Sequence, residues 1–301
     1  MIQISQMAFV LAAGMAVSLT GAPQSVTYNK TAPSSQAGTQ AGHQAHQAHQ
    51  AADPGHHQTP THALSAADAY DLLVAGNQRW VSGQTTNRNT EAERLALTAS
   101  EGQEPFATIV ACSDSRVPIE RVFDRGVGDL FVVRVAGNVC DTDEVGSVEY
   151  GVAHLGTPVL VILGHSSCGA VTAVAQGAKV GPNIQKLVDN IEPAVAEARR
   201  VAPEARGPEF ISQAVAFNAF RSIHDLFTTS PDTCRLVEQG RLKVVAAVYN
   251  LGDGTIEWLG EHPRQSELIS RGLSGGPASA ERPSVGDEAS SRHVTVPDNG
   301  H

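Results

Sequence analysis

Between about residue 64 and residue 260, apolar runs alternate with amphipathic segments in the pattern of an α/β domain. Apolar residues recur at helical spacing in four segments: 144–155, 169–176, 182–200 and 209–227. Four short runs of small and β-branched residues have the length of buried strands: 107–111, 130–135, 158–163 and 243–249. We therefore predict a parallel-dominated central sheet of about four to five strands, flanked by helices.

The folded part is predicted to begin with a helical arm. Ser65 can cap a helix, and Asp68, three residues later, can serve as its capping-box partner. Apolar residues such as Leu73 and Trp80 follow at helical spacing, so residues 64–81 are expected to form an amphipathic helix. A polar connection then leads to the first strand.

The first 22 residues are typical of a signal peptide. Residues 7–19 carry no charge, and the small residues Gly21 and Ala22 follow where a cleavage zone would lie. The uncharged run is too short to span a membrane, which requires roughly 20 apolar residues, so stable membrane insertion is not expected. Because no Lys or Arg precedes the run, an N-terminal extension without targeting function is the alternative. We expect export, to a periplasm or the cell exterior.

Two further segments have compositions that do not support a core. Residues 23–63 are rich in Ala, Gln and Ser and hold six of the twelve histidines, so they are predicted to be a disordered linker. Weak metal collection by these histidines is the alternative function. Residues 261–301, rich in Ser, Gly and Pro, are predicted to be a disordered tail. The folded domain is thus placed at residues 64–260.

Composition narrows the class of function. The chain is 41% hydrophobic and 17% charged, enough to bury a sizeable core, and its formal net charge is −10. Nucleic acids are not expected partners, because binding phosphates requires clustered Lys and Arg. Four cysteines are too few for a disulfide scaffold and too widely spaced for a zinc finger.

Chemically versatile side chains follow two of the predicted strands. Cys112, Asp114 and Arg116 come just after the first, and His165 and Cys168 just after the third. In open α/β sheets, ligands bind at the carboxyl ends of the strands. Two thiolates and one imidazole suit tetrahedral Zn²⁺ and leave one coordination position open. Each residue taken singly also fits a structural role, as a small buried thiol or a satisfied loop histidine.

Residues 112–116 (CSDSR) and 164–169 (GHSSCG) together resemble the signature of the β-class carbonic anhydrases. The resemblance extends over about residues 64–260. It implies an enzyme with one zinc ion per chain that interconverts CO₂ and bicarbonate, and a homodimer as the building unit of any larger homo-oligomer. Further matching stretches are 76–80, 131–138 and 147–150.

Carried over to this chain, the resemblance makes Cys112, His165 and Cys168 the zinc ligands and Asp114 with Arg116 the catalytic dyad. Zinc lowers the pKa of bound water to around 7, which supplies hydroxide to attack CO₂. Arg116 can hold Asp114 in an ionised state. Released by the arginine, Asp114 could become a fourth ligand and close the site. A purely structural ion pair is the alternative role of the dyad.

The resemblance also implies a substrate pocket, formed in the family across the dimer. Gln103, Phe131, Tyr150 and Gly169 match its positions. Ordinary core packing is the alternative explanation for Phe131 and Tyr150.

Other assignments stay open at the level of sequence. Cys140 and Cys234 could pair in an exported protein or remain two buried thiols. His154 and His224 lie in predicted helices, where structural roles are favoured over proton transfer. Alternative functions are hydrolysis of carbon disulfide or carbonyl sulfide on the same fold, and zinc-stabilised binding without turnover.

Overall fold

The computed structural model describes residues 64–275, which form a five-stranded sheet in the order β2-β1-β3-β4-β5. The first four strands are mutually parallel, and β5 runs antiparallel to β4. The predicted parallel-dominated sheet flanked by helices is confirmed. The strands are β1 (Ala107–Ala111), β2 (Leu130–Arg134), β3 (Val159–His165), β4 (Lys243–Tyr249) and β5 (Ile256–Gly260).

Helices precede, connect and follow the strands within residues 64–275. A 3₁₀ turn (Ala136–Asn138) follows β2, and a π turn (Tyr150–His154) continues the fourth helix. The helices are α1 (Ala66–Val81), α2 (Ala92–Glu101), α3 (Ile119–Val122), α4 (Thr142–Glu149), α5 (Gly169–Ala175), α6 (Pro182–Val188), α7 (Glu192–Val201), α8 (Gly207–Thr229), α9 (Pro231–Glu238) and α10 (Gln265–Gly275).

The core lies on both faces of the sheet. On one face, Ile162 of β3 packs in a cluster with Ile223 and Phe227 of α8. On the other face, Val161 packs in a cluster with Leu73 of α1. Because every residue of β1 and β3 is buried, these strands carry a nearly continuous apolar run rather than an alternating one.

The predicted helical arm is α1, and its cap forms as expected. Ser65 is the N-cap, and its Oγ accepts a hydrogen bond from the backbone N–H of Asp68 at 3.1 Å. Further along, Asn77 donates to the carbonyl of Gly254 at 2.9 Å and accepts from the N–H of Ile256 at 3.1 Å. These bonds fix α1 to the connection between β4 and β5.

The predicted helix 144–155 changes its winding at Tyr150. The α-helical part ends at Glu149, and the chain continues as the π turn. Gly151 lies so close to the Thr108 side chain that a Cβ atom would clash with its Oγ1. The wider π turn thus accommodates a close approach of the helix to β1, a common use of π bulges near functional sites.

The prediction of a disordered tail from residue 261 is wrong for its first part, because residues 265–275 form α10. Leu268 is 1% exposed and belongs to the core cluster. A Cβ at Gly272 would clash with the Phe227 carbonyl, so the helix packs closely on α8. Its apolar residues are too few for composition to reveal it. The predicted signal peptide, linker and remaining tail lie outside the described residues.

Within residues 64–275, no helix combines the length and apolar character needed to cross a membrane.

Candidate metal centre

The site depends on the adjacency of β1 and β3. The two strands pair in parallel, with Ala111 opposite Leu163. Cys112 directly follows β1, and His165 is the last residue of β3. Because parallel neighbours bring their carboxyl ends to one edge, the residues that follow these two strands meet there.

The structure brings Cys112, His165 and Cys168 together in a buried cluster. Their ligand atoms, two sulfurs and one ring nitrogen, all lie within 4.8 Å of one another. Zn–S bonds of about 2.3 Å and Zn–N bonds of about 2.0 Å are compatible with an ion placed among them. The cluster thus has the composition and spacing of a three-ligand zinc site.

The tautomer of His165 provides an independent test of whether a metal fits. Nδ1 lies 3.0 Å from the carbonyl of Ser166, and because a carbonyl can only accept, Nδ1 carries the proton. Nε2 therefore presents a lone pair. That atom is buried and has no hydrogen-bond partner among the described residues. A metal ligand needs a free lone pair, and a buried nitrogen that accepts no hydrogen bond provides one.

The two thiols are electrostatically unequal. A hydrogen bond from Cys168 lowers the pKa of Cys112; burial opposes this, while the backbone N–H groups of Gly137 and Asp114 assist it. The Cys112 bond and burial raise the pKa of Cys168. The environment thus favours one thiolate, on Cys112. A divalent cation would replace the shared proton and favour both thiolates.

Local turns bring Cys168 back towards the strand end. Ser167 adopts a left-handed conformation with φ 54°, which reverses the chain before α5. Ser166 accepts a hydrogen bond on Oγ from the N–H of Leu251 at 3.0 Å, and its own N–H donates to Tyr249 at 2.9 Å. The loop between His165 and Cys168 is therefore held by the end of β4.

Asp114 and Arg116 form the fork that their spacing predicts. Arg116 donates from Nε to Oδ1 at 2.9 Å and from Nη2 to Oδ2 at 2.7 Å, and its backbone N–H reaches Oδ1 at 2.9 Å. The Arg116 guanidinium holds the pKa of the Asp114 carboxyl well below its usual range. Oδ2 also lies 3.8 Å from Nε2 of His165. An ionised carboxylate therefore stands beside the ligand cluster.

Sequence analysis missed Arg134, the last residue of β2. Its Nη2 donates to the carbonyls of Cys112 at 2.8 Å and Asp114 at 2.6 Å, and Nε donates to Cys112 at 3.0 Å. Arg134 therefore clamps the loop that carries the first thiol and the carboxylate. It lies in the stretch 131–138, but its role depends on backbone carbonyls that no motif displays.

Of the predicted pocket residues, only Gly169 adjoins the cluster within one chain. Gln103 is exposed between α2 and β1. Phe131 and Tyr150 contact each other, with ring centroids 5.7 Å apart. Phe131 pairs with Thr108, four residues before Cys112, which corresponds to about 13 Å along the strand.

The structure shows the contacts of the cysteines and histidines whose roles the sequence did not decide. Cys140 and Cys234 are both free and buried, and the Cys234 thiol donates to the carbonyl of Phe227 at 3.2 Å. His154 stacks on Tyr150 with centroids 4.7 Å apart, away from the cluster. His224 contacts Asp225 on α8.

Comparisons with known proteins agree with this geometry. The family model described as carbonic anhydrase matches residues 107–256. Carbonic anhydrase 2 of Mycobacterium tuberculosis is 36% identical over 194 residues, covering 62% of this chain and 89% of the relative. The carbonic anhydrase of Mycolicibacterium smegmatis is 36% identical over 193 residues, covering 63% and 91%. The β-carbonic anhydrase CafA of Aspergillus fumigatus shares the fold, with a TM-score of 0.55, 24% identity and coverage of 69% and 98%.

Proposed function

Because this chain belongs to the carbonic anhydrase family, we propose that it is an enzyme that interconverts CO₂ and bicarbonate with one zinc ion per chain. The observation that carries the proposal is the buried cluster of Cys112, His165 and Cys168 beside an ionised carboxylate. A purely structural zinc site would need no such carboxylate.

Cys112, His165 and Cys168 would hold the metal. Zinc bound there would supply a Lewis acid that lowers the pKa of water from 15.7 to around 7. The protein fixes the ligand set in advance, since the Ser166 carbonyl sets the histidine tautomer and Arg134 fixes the loop after β1. Such preorganisation reduces the rearrangement that metal binding requires.

Asp114 is proposed to orient and accept a proton from the water that attacks CO₂. Arg116 occupies both carboxylate oxygens from one side and keeps the group ionised, so its remaining lone pairs can accept. To become a fourth ligand, the carboxylate would have to move away from the position in which Arg116 holds it. The fork therefore supports the open state of the site, in which Asp114 is not a fourth ligand.

The substrate pocket is proposed to be completed by a second copy of the chain. Phe131 belongs to β2, an edge strand of the sheet, and contacts Tyr150, which is 45% exposed. Phe131 lies about 13 Å along the strand from the position of its own Cys112, too far to contact a small substrate there. A homodimer that joins such edges would bring the two aromatic residues and Gln103 to the partner's metal.

Export is proposed on the strength of residues 1–22, whose uncharged run and small residues are typical of a signal peptide. Cell fractionation with N-terminal sequencing of the mature protein tests this. Recovery of the intact N-terminus in the cytoplasm would contradict it.

The test of function is stopped-flow CO₂ hydration by the zinc-loaded protein. A chelator that removes the zinc should abolish hydration. Asp114→Asn should lower the rate by about 10²–10⁴-fold with zinc still bound, the usual size of a general acid–base contribution. Glu238→Gln, which changes an exposed carboxylate on α9, is the matched control and should retain the rate. A zinc-loaded wild-type protein without chelator-sensitive hydration would overturn the proposal.

A further inference from the structure

A short turn outside the ligand loops reaches the sulfur of Cys112. The backbone N–H of Gly137 donates to Cys112 Sγ at 3.3 Å in a buried setting. Gly137 belongs to the 3₁₀ turn Ala136–Asn138, where it has φ 74°, and Asn138 has φ 46°. Two successive left-handed residues, one of them not glycine, are an unfavourable conformation that the surroundings must maintain.

The turn is also closely packed against the helix that follows the second thiol. A Cβ atom at Gly137 would lie 2.6 Å from Ile191 Cδ1 and 3.1 Å from the Cβ of Ala170. Ala170 is two residues after Cys168 in α5. A shift of the turn would therefore disturb the surroundings of both sulfurs.

Two side chains of α8 hold the turn in place. Asn218 donates from Nδ2 to the carbonyl of Gly137 at 2.7 Å, and Ser222 donates from Oγ to the carbonyl of Asn138 at 2.8 Å. Each of these side chains is 1% exposed, and they lie one helical turn apart. Consecutive carbonyls of the turn are thus bonded to one face of one helix.

This arrangement is retained at a cost in stability. Asn218 Oδ1 and Asn138 Nδ2 are both buried without a hydrogen-bond partner among the described residues. Each such group is unfavourable, because burial removes its hydrogen bonds to water and nothing replaces them. Rotating the Asn218 amide would not help, because its oxygen would then face the carbonyl of Gly137. Packing alone would be served better by an apolar side chain, so the amide indicates a requirement for its N–H.

We propose that Asn218 and Ser222 are positioning residues of the metal centre, holding the 136–138 turn so that the Gly137 N–H points at Cys112 Sγ. The inference rests on the proposed function, because it requires Cys112 to be a metal ligand. A hydrogen bond to a ligand sulfur fixes its orientation and withdraws electron density from it, and loss of such an outer bond typically weakens metal binding.

The test measures metal binding in Asn218→Leu, Ser222→Ala and Ser222→Thr, each as the full-length protein. Removing either donor should raise the zinc dissociation constant, measured by chelator competition, by about 10–100-fold. In the cobalt-substituted protein it should shift the sulfur-to-cobalt charge-transfer band, which reports on the thiolate–metal bond. Ser222→Thr keeps the hydroxyl and should restore both properties. Ile223→Val, a buried change on the same helix that removes no hydrogen-bond donor, is the control for lost stability.

The outcomes separate the two proposals. If the variants have lower melting temperatures but the zinc affinity and cobalt band of the wild type, as expected for Ile223→Val, the positioning role is overturned and the zinc site stands. If Asn218→Leu does not fold, Ser222→Ala against Ser222→Thr decides by the same two measurements. A wild-type protein that shows no cobalt–thiolate band would overturn both proposals.

Discussion

Removing the metal should destabilise the folded protein by an amount that can be calculated. At free zinc 1,000 times its dissociation constant, binding stabilises the native state by about 4.1 kcal/mol. For a domain of the size of residues 64–275, each kcal/mol corresponds to about 2–4 °C in melting temperature, so a chelator should lower the midpoint by about 8–16 °C. Part of the physical origin is Nε2 of His165, which is buried and has no hydrogen-bond partner within residues 64–275, so a bound ion would satisfy its lone pair.

Thermal unfolding followed by circular dichroism, with and without chelator, measures the shift. His165→Ala removes one ligand and should melt at the same temperature in both conditions. Cys140→Ala is the matched control, because Cys140 is a buried thiol outside the cluster. It should lower the midpoint in both conditions through the cavity it leaves, yet keep the chelator-dependent difference.

The control also defines the result that would refute the reasoning. Metal analysis must show that the chelator has removed zinc from the wild type. If the midpoint then stays unchanged, zinc does not bind the folded protein more tightly than the unfolded chain. If Cys140→Ala loses the difference while His165→Ala keeps it, the ligands have been misassigned.

Two further changes test the scaffold. Burial raises the pKa of the Asp124 carboxyl, but its hydrogen bonds, of which the one from Arg79 is the strongest, lower the pKa by more. The net pKa therefore lies below its ordinary value. The stability it provides is therefore present above about pH 4 and lost as the pH falls through the folded pKa. Asp124→Asn should lose about 2–3 kcal/mol in urea unfolding at pH 7, a gap that narrows below pH 4. Gly76→Ala should lower the free energy of unfolding by about 3 kcal/mol, because its Cβ would clash with the backbone carbonyl of Phe123. Gly146→Ala, whose Cβ would meet open space, should raise the free energy of unfolding by about 0.5–1 kcal/mol. A similar loss of stability in both variants would contradict this explanation.

The sequence predicts those elements whose burial makes their pattern unmistakable. β1 and β3 are buried along their whole length, and their continuous apolar runs placed them correctly. Cys112, His165 and Cys168 follow these two strands, and residues that follow adjacent parallel strands meet at one edge of the sheet, which brings the three into one cluster. Elements with weak patterns were missed: β5 is only partly buried, and α2 has no buried residue at all.

The residues that hold the loops of the site in place could not be predicted, because their side chains bond to backbone carbonyls that are distant in sequence. Asn218 and Ser222 bond to carbonyls 81 and 84 positions away. Arg134 likewise reaches carbonyls of the loop after β1. A carbonyl or an amide N–H is present at every residue, so no side-chain motif marks the one that is used. Only the folded chain reveals which N–H reaches Cys112.

The ligands are held from elements that do not themselves carry one. Arg134 of β2 fixes the loop after β1, the end of β4 fixes Ser166 beside His165, and α8 fixes the turn that bonds to Cys112. These supports act on different segments of the site, so none can compensate for the loss of another. A substitution far from the metal should therefore alter its binding whenever it moves one of these supports. Substitutions on the solvent-facing side of the same helices should not, and this contrast distinguishes a preorganised site from one that the metal assembles on arrival.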